Sequence, residues 1–209
     1  DLFFVLSGFV MALTYAGMFT SGFSWRAHRD FLWKRIARVY PLYLAITLGV
    51  SAYSLLVYGG YEGGHRPAVN LDNPLLAHVT NLLMIHAWGF GASIGGPTWS
   101  ISTEWAAYLL FPLLAWLALF RGKLSAALLG GVAAGLLVYV AIFPETGQTT
   151  RNGQFDIFHC LDLKAVLRCI GGFSIGLLAY RFRQTPLLMK FLARDAVCLG
   201  LCALLFVGM

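Results

Sequence analysis

The chain has 209 residues, of which 59% are hydrophobic and only 11% charged, and its mean hydropathy is +0.73. Soluble globular domains carry about 25% charged residues, so this composition excludes an ordinary soluble domain and indicates a surface that faces lipid. The net charge of +6 does not indicate a nucleic-acid partner, because the basic residues lie in short clusters between apolar runs. We therefore predict an all-α, polytopic transmembrane helix bundle whose main partner is the lipid bilayer.

Apolar runs of about 20 residues, the length that crosses a bilayer, predict about six spans. They lie at residues 2–19, 39–58, 101–120, 124–143, 166–180 and 191–209. No repeat or linker divides the chain, so we expect one membrane domain over residues 1–209. The chain starts at Asp1 inside an apolar run and stops inside another, so we expect this domain to be incomplete at both ends.

The run at residues 75–90 is ambiguous, because His78, Asn81 and His86 interrupt it and a Gly-rich stretch follows. If this run does not cross, most basic residues fall on one face of the membrane, as the positive-inside rule requires. We therefore predict a re-entrant or interfacial segment near residues 75–98. The same rule makes residues 21–38 a cytoplasmic loop of a multi-pass protein in a bacterial inner membrane.

A basic stretch precedes the second predicted span. Lys34, Arg35 and Arg38 would share one face of a helix, because they are spaced by three and four residues. Converging cations at a membrane edge can bind phosphate groups. They can equally anchor the span or attract anionic lipid, so both interpretations stand.

The stretch around Glu104 contains a carboxylate about one turn into a span, which is costly and so marks a candidate functional site. Ser102 precedes it and can cap the helix, while Trp99 and Tyr108 fit an interfacial belt. A structural alternative is that Glu104 pairs with Arg168, which also lies in an apolar run.

No metal site is predicted. His78 and His86 are eight residues apart and could share a helical face, but no third ligand is evident.

Three segments resemble, in order, motifs of the acyltransferase family 3 membrane proteins, which include O-acetylases of lipopolysaccharide, peptidoglycan and other glycans. Residues 1–9, DLFFVLSGF, are similar to "FFVLSGF". Residues 31–43 are similar to "FxxRRxxRIxPxY", with Lys34 in place of the first Arg. Residues 99–112 are similar to "WSLSVEEQFYLLFP", although Trp105 and Ala106 replace the second Glu and the Gln. Arg168 with the glycines after it adds a weaker match.

The resemblance implies a transferase of about ten spans that modifies cell-envelope polysaccharide. It would move an acyl group, often acetyl, from cytoplasmic acyl-CoA to a hydroxyl of an extracytoplasmic glycan or lipid-linked acceptor. Acyl-CoA would be a co-substrate, with no bound cofactor. The roles carried over are donor binding by Lys34, Arg35 and Arg38, a catalytic core around Glu104, and support from Trp99, Ser102, Tyr108 and Arg168.

The family's catalytic His lies upstream of the "FFVLSGF" element, so we expect this chain to be inactive alone. A different class of protein, a secondary transporter or flippase, would also explain the intramembrane charges of Glu104 and Arg168 and the Gly-rich broken segment. The order of the three motifs favours the acyltransferase.

Overall fold

A computed structural model of the chain describes residues 1–20, 22–58, 74–91, 93–94, 97–143, 163–183 and 185. These residues form helices and turns, and no strand occurs among them, which confirms the all-α prediction. The main helices are α1 Leu2–Tyr15, α2 Trp25–Tyr58, α3 Pro74–Leu82, α4 Trp99–Ala115, α5 Lys123–Ile142 and α6 Lys164–Phe182. Short turns, Ala16–Phe19 and Trp116–Phe120, extend α1 and α4.

Five helical segments in the described part of the chain are long and apolar enough to cross a membrane. They are Leu2–Phe19, Trp25–Tyr53, Trp99–Phe120, Lys123–Ile142 and Lys164–Phe182. They correspond to the first five predicted spans. The predicted sixth span, at residues 191–209, lies outside the described residues.

Helices α1 and α6 form the closest helix pair of the described core. A Cβ atom at Gly8 would overlap the carbonyl oxygen of Phe173, and one at Gly176 would overlap the carbonyl oxygen of Val5. Small residues let two helix backbones approach in this way, which is a common means of helix association in lipid. Helix α4 packs against α6 through Phe111, so α1, α4 and α6 form the centre of the bundle.

The predicted cytoplasmic loop at residues 21–38 is wrong as a loop, because helix α2 begins at Trp25 and runs for 34 residues. The Ser24 side chain accepts a hydrogen bond from the Ala27 amide at 3.5 Å, as an N-cap residue does. His28, Phe31 and Arg35 are buried. Their spacing of three and four residues is that of one helical face, so packing of this face stabilises the helical form of the basic stretch.

The described residues between α2 and α4 contain no helix long enough to cross a membrane. Helix α3 has nine residues, or about 13 Å, which is less than half of the roughly 30 Å hydrocarbon core. The chain then turns at Met84 and His86 and returns to α4. Tyr43 of α2 fixes the end of α3 by donating its hydroxyl to the Asn81 carbonyl at 2.6 Å. This arrangement agrees with the predicted re-entrant or interfacial segment.

Candidate active site

A buried chain of hydrogen bonds connects α2 to α4. Arg35 Nη2 donates to the Tyr108 hydroxyl at 2.8 Å, and that hydroxyl donates to Glu104 Oε2 at 2.7 Å. Glu104 and Tyr108 are four residues apart, so they share one face of α4. The guanidinium also lies 4.8 Å from the centre of the Tyr108 ring. The phenol therefore joins a buried cation to a buried carboxylate.

Both ends of this chain retain unused hydrogen-bonding capacity. Arg35 Nε and Glu104 Oε1 are buried and have no hydrogen-bond partner among the described residues. A guanidinium offers five N–H donors and a carboxylate about four acceptor positions. A cavity of about 10 Å³, room for about one water molecule, is lined by Arg35, Tyr108 and Met84 among others. Arg35 therefore borders a space the size of a small polar group, whereas Glu104 is not among the residues that line it.

The three cations of the basic stretch do not act as one cluster. Arg35 is only 9% exposed and turns toward α4, whereas Lys34 and Arg38 are exposed on the outside of α2. Tyr108, which contacts Arg35, lies near the middle of the segment Trp99–Phe120. The Arg35 side chain thus contacts the middle of that helical segment.

The structural alternative, in which Glu104 pairs with Arg168, is wrong. Arg168 makes a two-point ion pair with Asp1, in which Nη2 donates to Oδ2 at 2.9 Å and Nε donates to Oδ1. Arg168 lies in the first turns of α6, and the close packing of α1 on α6 brings the start of α1 to it. Glu104 instead accepts its hydrogen bond from Tyr108.

Ser102 holds the α3–α4 turn rather than capping α4. Its hydroxyl donates to the Met84 carbonyl at 2.8 Å and accepts from the Ala87 amide at 3.2 Å. Its carbonyl accepts from Trp88 Nε1 at 2.9 Å. We call these three hydrogen bonds the Ser102 clamp. Trp99, expected in an interfacial belt, is half-buried and packs edge-on against Phe4.

Several buried polar residues of the same turn were not singled out as site residues. Asn81 donates to the Ala77 carbonyl and accepts from the Ile94 amide. His86 is fully buried, and neither ring nitrogen has a hydrogen-bond partner in the described structure. Burial lowers the pKa of His86 to about 4, so the ring is neutral at pH 7. The signal in the sequence is the presence of His and Asn in an apolar run, which indicates an interrupted span and, for His86, a two-His metal pair that lacks a third ligand.

The helical fold and the buried charges define a multi-pass membrane protein with a polar site inside the bundle. Residues 1–209 match the profile of acyltransferase family 3, described as an acyltransferase domain, and the chain belongs to this family. This match confirms the resemblance found in the motifs.

Two curated relatives share about a third of the aligned residues. "Acyltransferase MdmB" of Streptomyces mycarofaciens is 32% identical over 150 residues, which cover 69% of this chain and 34% of that protein. "Protein 2 in picA locus" of Rhizobium radiobacter is 33% identical over 118 residues, which cover 52% of this chain and 57% of that protein. The aligned part thus spans only about a third to a little over half of these relatives. No solved structure matches this chain.

Proposed function

We propose that this domain belongs to an O-acyltransferase that moves an acyl group, in the simplest case acetyl, from acyl-CoA to a hydroxyl of an extracytoplasmic glycan or similar acceptor. The proposal includes a bacterial inner-membrane location with the start of α2 on the cytoplasmic side. Family membership supports the acyltransferase class. The observation that carries the donor assignment is the chain Arg35–Tyr108–Glu104 inside the bundle, one helical turn from two exposed cations.

The exposed cations Lys34 and Arg38 suit the phosphates of a CoA donor. They are four residues apart on the outer face of α2, so one phosphate group can meet both. Arg38 can bind a phosphate through two parallel N–H donors, whereas Lys34 contributes a point charge. In this proposal the pair holds the nucleotide end of acyl-CoA, and the acyl end extends toward Arg35.

Arg35 is assigned to the reacting carbonyl. When the acceptor oxygen attacks the thioester, negative charge develops on the carbonyl oxygen, and a positioned donor that meets this charge lowers the barrier. The unpaired Arg35 Nε is such a donor. The carbon–sulfur bond then breaks, the ester forms on the acceptor, and the CoA sulfur leaves with the proton of the acceptor hydroxyl. Glu104 and Tyr108 act as positioning residues, and no residue of this chain is assigned as the general base.

The donor assignment is tested by acetyl-CoA binding to the full-length protein in detergent, measured by thermal shift. Arg38→Ala should weaken binding roughly tenfold or more, since a charged hydrogen bond contributes about 1.5–3 kcal/mol. Arg29→Ala is the matched control, because Arg29 is equally exposed but lies on the opposite face of α2. Equal affinity in both variants would remove the phosphate role, and a folded parent that does not bind would overturn acyl-CoA as the donor.

Tyr108→Phe tests the positioning of Arg35. Loss of the hydroxyl leaves Arg35 Nη2 and Glu104 Oε2 without this bridge, so we expect kcat to fall at least tenfold while the KM for acetyl-CoA changes little. Tyr139→Phe in α5 is the control, because its ring is 45% exposed and packs on Phe143. If the two variants have the same kcat, Tyr108 does not position the site.

A further inference from the structure

An apolar groove lies between the connection that follows α1 and the last turns of α4. Its volume is about 380 Å³, within the range of about 300–1,000 Å³ that is usual for small-molecule sites. The connection contributes Phe19 and Phe23, and α4 with its extension contributes Leu109, Leu113 and Trp116 among others. Every side chain that lines the groove is apolar or aromatic, so the lining suits a hydrocarbon chain.

The groove opens on the side of the bundle that faces lipid. Phe23 is 66% exposed and Leu113 is 53% exposed. Leu109 and Trp116 are seven residues apart, so the α4 wall of the groove extends about 10 Å along the helix axis. The candidate span ends at Phe120, which places Trp116 near the membrane interface, where tryptophans are enriched. The groove therefore extends from near the interface toward the hydrocarbon core.

A π-helical turn places a cation at the interfacial end of this groove. In the turn Trp116–Phe120, the Arg121 amide donates to the Trp116 carbonyl at 3.0 Å. The Arg121 guanidinium carbon lies 4.7 Å from the centre of the Trp116 ring. Stacking uses the face of a guanidinium and leaves the N–H donors at its edge. Among the described residues these donors have no hydrogen-bond or ion-pair partner, so they are available to an anion beside the groove.

The surroundings of Arg121 add to the positive charge. Arg181 lies beside it and donates to the carbonyls of Ala118 and Arg121, the second at 3.0 Å. Lys123 begins α5 two residues after Arg121. Basic clusters next to a span attract anionic lipids, and arginine binds phosphate oxygens through parallel N–H donors. The charge at this end of the groove therefore favours an anionic headgroup over a zwitterionic one.

We propose that this groove binds one anionic phospholipid, with an acyl chain along Leu109, Leu113 and Trp116 and the phosphate on Arg121. An apolar groove with an unpaired cation at its interfacial end matches the two parts of such a lipid. The bound lipid fills the space between α4 and the connection after α1 and stabilises their contact. Lys34 and Arg38 do not line the groove, so this site is separate from the proposed donor contact and does not depend on acyl transfer.

The test measures phospholipid binding to the delipidated full-length protein in detergent by native mass spectrometry. Dioleoyl phosphatidylglycerol is the anionic probe, and dioleoyl phosphatidylcholine has the same chains with a zwitterionic headgroup. We expect the parent to bind phosphatidylglycerol more tightly. Arg121→Gln should weaken that binding about fivefold, which corresponds to the attraction of one basic side chain to an anionic membrane surface. It should weaken phosphatidylcholine binding less, because the choline offsets the phosphate charge.

Leu113→Trp tests the groove itself, because an indole in place of this leucine fills part of the space, and it should weaken the binding of both lipids. Arg183→Gln is the control for the cation, since Arg183 also stacks on an aromatic ring, that of Tyr180, but does not border the groove. Leu128→Trp is the control for the groove variant, because Leu128 is similarly exposed on α5. Both controls should keep the parental affinities.

Equal affinity of the parent for the two lipids would overturn the proposal, as would parental phosphatidylglycerol binding in Arg121→Gln or in Leu113→Trp. Two competitors distinguish other sources of the same chemistry: glycerol 3-phosphate, which lacks the chains, and palmitoyl-CoA. Displacement of phosphatidylglycerol by either at equal concentration would assign the groove to a free phosphate or to an acyl-CoA instead. A folded parent that binds neither lipid would show that the groove is covered in the full-length protein, and the proposal would fail.

Discussion

Two faces of helix α4 use buried polar groups in opposite ways. Ser102 and Glu104 are two residues apart, so a rotation of roughly 200° separates them around the helix. On the Ser102 face, the hydroxyl both donates and accepts, and it holds the α3–α4 turn. On the Glu104 face, the carboxylate and its linked guanidinium each keep an atom without a partner.

The difference separates a structural role from a functional one. A buried network in which every polar group has a hydrogen-bond partner stabilises and fixes its surroundings. A network with unpaired polar groups costs free energy, and a substrate that pairs them can offset this cost. Changes on the Ser102 face should therefore affect mainly stability. Changes on the Glu104 face should affect both stability and donor chemistry.

The largest effect is expected for Arg35→Ala on the Glu104 face. Removing the guanidinium takes away the charged donor to the Tyr108 hydroxyl, a kind of hydrogen bond that contributes about 1.5–3 kcal/mol to the free energy of unfolding, and the lost packing of the buried side chain adds to this cost. Chemical or thermal unfolding in detergent would measure this loss.

Lys34→Ala is the control for that variant. Lys34 is the adjacent cation, but it is exposed, and surface substitutions usually change stability by less than about 0.5 kcal/mol. If the two variants were equally stable, the Arg35–Tyr108–Glu104 chain would not be a stabilising link between α2 and α4.

A somewhat smaller effect is expected for Ser102→Ala on the opposite face. It removes the hydrogen bonds to the Met84 carbonyl and from the Ala87 amide, which at about 0.5–1.5 kcal/mol each should cost about 1–3 kcal/mol together. Stability should fall while the affinity for acetyl-CoA stays near the parental value. Ser100→Ala, which removes only an exposed hydrogen bond to the Pro97 carbonyl, should cost no more than about 1 kcal/mol. A Ser102 variant that loses donor binding but not stability would reverse the comparison of the two faces.

The smallest of these effects is a dependence of stability on pH through His86. Its pKa is lowered by burial from 6.5 to about 4, so between these values the unfolded chain binds more protons than the folded one. Stability should therefore fall as the pH decreases, by about 2 kcal/mol between pH 7 and pH 5. The ring that stacks on it, Tyr43, is a phenol and does not titrate in this range.

His86→Phe should remove that contribution, so unfolding of parent and variant at pH 7 and pH 5 provides the measurement. An identical pH dependence in both would show that His86 is not held as a buried neutral ring.

The spans were predictable because lipid selects apolar residues over a fixed length, and α1, α4, α5 and α6 all carry that signal. The start of α2 was not. The exposed charges of Lys34 and Arg38 lower the average hydropathy of this stretch. An average does not show that His28, Phe31 and Arg35 form a buried face of the same helix.

The candidate site was only partly predictable for a related reason. Glu104 could be identified as a candidate site residue from the sequence, because burying a carboxylate in an apolar run costs free energy. The partner of Glu104 depends on which helices are neighbours in the fold. Because α1 packs on α6, Arg168 pairs with Asp1 instead. His86 could be noticed in the sequence. That its two ring nitrogens have no hydrogen-bond partner among the described residues follows only from the arrangement of the residues around it.

The close contact of α1 with α6, at Gly8 and Gly176, also sets an order of events during synthesis. Ribosomes add about 5–20 residues per second, so α6 emerges roughly 10–30 s after α1. During that interval the small-residue face of α1 has lipid as its neighbour, and the contact at Gly8 cannot form. Assembly of this part of the core must then wait for α6.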